Sequence, residues 1–105
     1  MEICKFNGNS TASVKGMQHV AKLIMNNQPT IAILSAAEDV TKHLDEIAAC
    51  FFSRNTEEAH EKITRLEFQF IDFANELLTD DKIKHQAIRC ILDSFQAIWK
   101  YCLEP

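Results

Sequence analysis

Apolar and polar positions follow two rhythms along this chain, and they change over near residue 37. Residues 2–6, EICKF, form a short strand candidate that stops at an Asn-Gly-Asn turn. Val14, Met17, Val20, Ala21 and Ile24 then recur at the spacing of one helix face, as far as the NNQP break at 26–29. Ser10 or Thr11 supplies a side-chain oxygen to cap that helix. Pro29 opens a continuous apolar run, TIAILSA (30–36), the pattern of a strand covered on both faces of a parallel sheet. Strand, helix and strand in about thirty residues predict a βαβ unit with a right-handed crossover.

Beyond residue 37 the pattern is helical throughout. Asp39 is placed to cap a helix carrying Val40, Leu44, Ile47, Ala48 and Phe51 on one side. Asn55 or Thr56 starts the next, running to about Leu78, with Ala59, Ile63, Leu66, Phe70, Ala74 and Leu77 as its apolar stripe. At 1.5 Å rise per residue that helix is about 33 Å long. Thr79 or Asp80 caps the last helix, striped by Ile83, Ala87, Ile91, Ile98 and Cys102 and flanked by Phe95 and Trp99. A TDD link between two long helices predicts an antiparallel hairpin. In EFQFIDFANELL, Phe70 fits the core stripe, leaving Phe68 or Phe73 to face outward or toward a partner.

The expected fold is therefore α/β: a βαβ unit over residues 1–37, then three helices over 38–105, in one domain. Two parallel strands leave backbone donors and acceptors open on both edges, and such a sheet is rarely stable alone. The chain reads as the front of a larger α/β domain, or as one that completes its sheet with another copy.

Composition narrows the function classes. With 47% apolar residues the chain is not intrinsically disordered, and two glycines and two prolines are too few for an all-β protein of many tight turns. A net charge of −4, with both signs mixed along the chain, argues against a nucleic-acid binder, which needs a basic stripe. No basic stretch followed by an apolar core opens the sequence, and no apolar run is long enough to span a bilayer. Cys4, Cys50, Cys90 and Cys102 are scattered without a CxxC pair, as reduced, half-buried thiols of a cytoplasmic protein would be. In that compartment the sequon Asn9-Ser10-Thr11 goes unglycosylated. His19, His43, His60 and His85 fall on different helices, with no partner at metal-ligand spacing, so no metal site is expected.

Candidate chemistry sits at the strand ends. KFNGNS (5–10) puts a lysine before a small polar turn, and LSAAEDVT (34–41) puts hydroxyls after the second strand. With these motifs and the order of its elements, the chain resembles the N-terminal part of aspartokinases, in the amino-acid kinase superfamily. That family opens with a strand ending KFGG(T/S)S, then a helix, then a strand ending in a Ser-Ala turn and an xxGxT segment. Lys5, Phe6, Gly8 and Ser10 match the first motif. Ser35-Ala36 matches the second, and Thr41 keeps the family spacing. The resemblance covers essentially the whole chain and implies an incomplete amino-acid-kinase-like fold.

It also implies ATP-dependent phosphorylation of the aspartate side-chain carboxylate, with ATP and Mg as the family's cofactors. Lys5 would set its ammonium against phosphoryl oxygens, with Gly8 and Ser10 in the phosphate loop at the start of the first helix. Ser35 and Thr41 would lie around the aspartate. Three positions depart from the pattern: Asn7 and Asn9 replace a glycine and a Thr or Ser, and Asp39 stands where glycine is usual. A carboxylate about 4 Å from an anionic substrate costs roughly 4 kcal/mol at an effective dielectric near 20. The family's Arg-Gly-Glu segment, metal carboxylates and purine pocket are not among these residues. The chain alone is thus expected to be inactive and to hold no cofactor tightly. The alternative is a non-catalytic helical module that keeps the front of the fold and works by self-association or partner binding. A homo-oligomer is expected under either reading, with neither nucleic acid nor membrane as partner.

Overall fold

The computed structural model describes the backbone of residues 1–25, 29–35 and 38–103, and their side chains other than those of Glu38 and residues 101–103. The elements run β1 (Glu2–Phe6), α1 (Val14–Ile24), β2 (Thr30–Leu34), α2 (Glu38–Phe52), α3 (Thr56–Leu77) and α4 (Asp81–Leu103). Among the described residues this is an α/β chain, with two parallel strands and four helices. Asn26, Asn27 and Gln28 of the expected break, Ala36 of the Ser-Ala turn and the side chain of Cys102 lie outside the described residues. The chain divides into two compact units, Met1–Leu44 and Asp45–Pro105, with the boundary inside α2.

In the first unit β1 and β2 pair in parallel, from Glu2 opposite Thr30 to Phe6 opposite Leu34. Side chains alternate across a strand. Cys4 and Phe6 on one face are half-buried, and Ile3 and Lys5 on the other are exposed. β2 does not have the double cover that its unbroken apolar run predicts: Ile31, Ile33 and Leu34 are all exposed. A continuous apolar run records what a strand can tolerate on its two faces, and no second layer is present here to use it. α1 keeps its predicted stripe, with Val20 buried and Val14, Met17, Ala21 and Ile24 half-buried. Its cap is neither Ser10 nor Thr11. Ser13 takes that place, in extended conformation, and its Oγ accepts the Gly16 amide N–H at 3.0 Å.

The second unit has the denser core. Ile47, Ile63, Leu66 and Phe95 are buried together, with Phe51, Phe70, Ile91, Ile98 and Trp99 packed against them. Ring contact between Phe70 and Phe95 (5.7 Å between centroids) and a hydrogen bond from Trp99 Nε1 to Glu67 Oε2 (3.4 Å) run in opposite chain directions. α3 and α4 therefore form the expected antiparallel hairpin. Phe68 is exposed and Phe73 half-buried. Four assignments change. Leu44 and Ala48 of α2 and Ile83 of α4 are exposed, while Phe95, assigned only to the flank, is buried at the centre. Phe95 falls three to four residues from Ile91, Ile98 and Trp99, so a stripe centred on it fits the helical period better.

The helix ends follow local chemistry. α2 begins at Glu38, so Asp39 lies inside its first turn and does not cap it. Its carboxylate still faces the favourable end of the helix dipole. At the other end Arg54 is left-handed (φ 63°), and two amides fold back: Arg54 N–H to Phe51 C=O at 3.0 Å and Asn55 N–H to Cys50 C=O at 2.8 Å. This is the paired-bond ending of a Schellman motif, with arginine where glycine is usual. Asn55 at once caps α3: its Oδ1 accepts the Glu58 N–H (3.4 Å) and its Nδ2 donates to Glu58 Oε2 (2.6 Å). Asp80 caps α4 through the Ile83 amide N–H at 3.0 Å.

Candidate phosphate loop at the strand ends

Parallel pairing brings the carboxyl ends of β1 and β2 to one end of the sheet. Lys5 lies opposite Ile33 and Phe6 opposite Leu34, and the Ser35 amide N–H donates to the Phe6 carbonyl at 3.2 Å. The loop after each strand thus leaves from adjacent positions, the place where open α/β sheets hold their ligands. Lys5 is exposed, and so is Ser35. Thr41, the fourth residue of α2, is exposed as well, and no hydrogen bond among the described residues joins it to Lys5 or Ser35. Backbone pairing therefore unites Lys5 with Ser35, and Gly8 and Ser10 follow directly in the first loop.

That loop is closed by its own side chains. Asn7 Oδ1 accepts both the Ser10 amide N–H and the Ser10 hydroxyl, each at 3.2 Å, and the Asn7 carbonyl accepts the same amide at 3.1 Å. The Asn7 carboxamide oxygen takes both the amide and the hydroxyl hydrogen of Ser10, so Ser10 spends its donors within the loop. Gly8 is half-buried and has no left-handed backbone, so positive φ does not explain the glycine there. Thr11 is buried, and its Oγ1 has no hydrogen-bond partner. Such a group costs about 1–3 kcal/mol when left unsatisfied.

A glycine the sequence motifs did not single out fixes the geometry. A Cβ on Gly16 would stand 2.5 Å from the Ser10 carbonyl oxygen and 3.0 Å from Ser13 Oγ. The first turn of α1 therefore rests directly on the loop, an approach only glycine permits. Ser13, Gly16 and the acceptor role of Asn7 were all missed by motif reading. Their signals were present: serine three residues before a glycine, and an isolated glycine inside a helical stripe.

Of the donors near this loop, the exposed Lys5 ammonium suits a phosphate or carboxylate oxygen, whereas the Thr11 hydroxyl is buried and the Gly16 amide N–H is already taken by Ser13 Oγ. For a metal the fit is poor. Among the described residues no group of three or more His, Cys, Asp and Glu side chains converges to hold one. No helix among them is long and apolar enough to cross a membrane. No protein-family model matches the chain, and no curated protein matches it.

Proposed function

We propose that this chain is the N-terminal segment of an aspartokinase-like phosphotransferase, supplying the phosphate end of an amino-acid kinase site and not the whole of it. The observation that carries the reading is the junction of the strand ends: Lys5 and Phe6 lie beside Ser35, clamped by the Ser35 N–H to Phe6 carbonyl bond. Phosphoryl transfer rests on positioning and on stabilising charge, which a lysine and backbone amides at a helix start provide. Lys5 holds phosphoryl oxygens, Gly8 and Ser10 shape the loop around them, and Ser35 and Thr41 hold the aspartate. Mg-ATP supplies the transferred group in such enzymes. These residues position it but do not include the metal carboxylates or purine pocket needed for turnover, so the isolated chain binds without transferring. A cytoplasmic setting follows from the same reading.

One observation favours a second reading. Asn7 satisfies Ser10 from within, as it would in a loop retired from phosphate binding and kept as part of a self-associating, non-catalytic module. Calorimetric titration with Mg-ATP and aspartate separates the two. Under the first reading the chain binds, Lys5→Ala abolishes binding, and Asn7→Gly tightens it about tenfold by freeing the Ser10 hydroxyl. Silence from both the native chain and Asn7→Gly establishes the second.

A further inference from the structure

At Ala32 and Leu34 the backbone of β2 is open along its outer edge. In a parallel pair, residues point their N–H and C=O alternately toward the neighbouring strand and away from it. Two bonds fix that alternation here: Glu2 N–H to Pro29 C=O at 3.0 Å and Ser35 N–H to Phe6 C=O at 3.2 Å. Even-numbered residues of β1 thus face odd-numbered residues of β2. Ala32 and Leu34 consequently direct their backbone groups outward, where no third strand lies among the described residues. Proteins usually guard such an edge with lysine, other charges or proline. β1 carries Glu2 and Lys5; β2, TIAIL, carries no charge at all. Its side chains are also uncovered: Ile31 is 46% exposed, Ile33 48% and Leu34 56%, while Ile3 beside Ile31 is 69% exposed.

We propose that the outer edge of β2 pairs with β2 of a second copy of this chain, antiparallel about a twofold axis through Ala32, giving a four-stranded sheet. The choice of a second copy rests on self-complementarity, which a twofold interface demands. Ile-Ala-Ile reads the same in both directions about Ala32, so Ile31 of each copy meets Ile33 of the other on one face. That face then brings Ile3, Ile31 and Ile33 of both copies together in two cross-strand rows, each ending at the Lys5 that lies beside Ile33. Ala32 points its N–H and C=O outward, so two copies centred on it exchange both bonds, as directly opposed residues of an antiparallel ladder do. No like charges meet across the axis. A five-residue edge buries less than the roughly 1,200 Å² of a stable specific interface, so the dimer is weak and depends on concentration. This deepens the self-association reading and does not depend on phosphate binding.

The test is sedimentation of the whole chain from micromolar to millimolar concentration, in reducing buffer to keep Cys4 and Cys90 from cross-linking. A reversible monomer–dimer equilibrium is expected, with hydrogen exchange at the Ala32 and Leu34 amides slowing as dimer forms. Ala32→Pro deletes only an outward N–H, a change edge strands tolerate, and raises the dissociation constant at least about tenfold. Ile33→Lys, at an exposed position, does the same should the proline variant misfold. A monomer at every concentration overturns the proposal. So does a dimer that both variants leave unchanged, or one whose Ala32 and Leu34 amides stay fast. Mg-ATP titration of Ala32→Pro keeps the two proposals apart, since loss of dimer with unaltered nucleotide response bears on this one alone.

Discussion

The two units of this chain solve the problem of burying apolar surface to different degrees. In Asp45–Pro105, Ile63 is completely buried and a continuous cluster surrounds it. In Met1–Leu44, Val20 is the one buried aliphatic side chain among the described residues, and the apolar strand β2 is exposed. The reason lies in the backbone. A helix satisfies its own hydrogen bonds, so three helical segments with matching stripes close a core by themselves. A strand satisfies half its groups per neighbour, so two strands always leave two edges open. The helical unit closes a core with its own side chains while leaving Phe52 and Phe68 exposed, and the βαβ unit presents an open edge and an exposed apolar strand face.

The contrast can be broken from either side. The largest expected effect is in the helical unit: Ile63→Ala removes a fully buried side chain and costs about 3–4 kcal/mol, measured by urea unfolding followed by helical circular dichroism. A loss below about 1 kcal/mol would mean that the core is far looser than its burial implies. Next comes Gly16→Ala in the βαβ unit. The new Cβ meets the Ser10 carbonyl at 2.5 Å, and the clash outweighs the gain in helix propensity, for a net loss of about 1–2 kcal/mol. Amide shifts and exchange from Asn7 to Met17 should change while those around Ile63 stay put. Altered exchange at Ile63 would show that the units do not respond independently. The smallest effect has the opposite sign. Arg54→Gly relieves the left-handed backbone that ends α2 and stabilises the helical unit by about 1 kcal/mol, read as a rise in Tm.

Much of this was legible in the residues, and the failures share a cause. The strand at 2–6, a second strand opening at Thr30 and the long hairpin followed from period and punctuation, although the second strand ends at Leu34, inside the expected 30–36. Within STAS (10–13), three of four residues are able to cap a helix, and local chemistry does not rank them. Ser13 wins because Gly16 lets the first turn settle on the Ser10 carbonyl, a contact between loop and helix. The stripe of α4 was legible too, but its centre was not. Phe95 outranks Ile83 because Phe70 stands opposite it across the hairpin. At the candidate site, Lys5 and Ser35 were visible as strand-end residues. The closure of the loop by Asn7 was not, since it depends on where the Ser10 donors point.

The sequence by itself determined which segments are strands and which are helices, because period, caps and turn residues act over a few neighbours. Only the tertiary structure decided which apolar side chains find cover. It also decided whether the loop after Lys5 offers its donors outward or spends them on Asn7. Those outcomes depend on partners far away in the chain or on side-chain direction, and no local pattern encodes either.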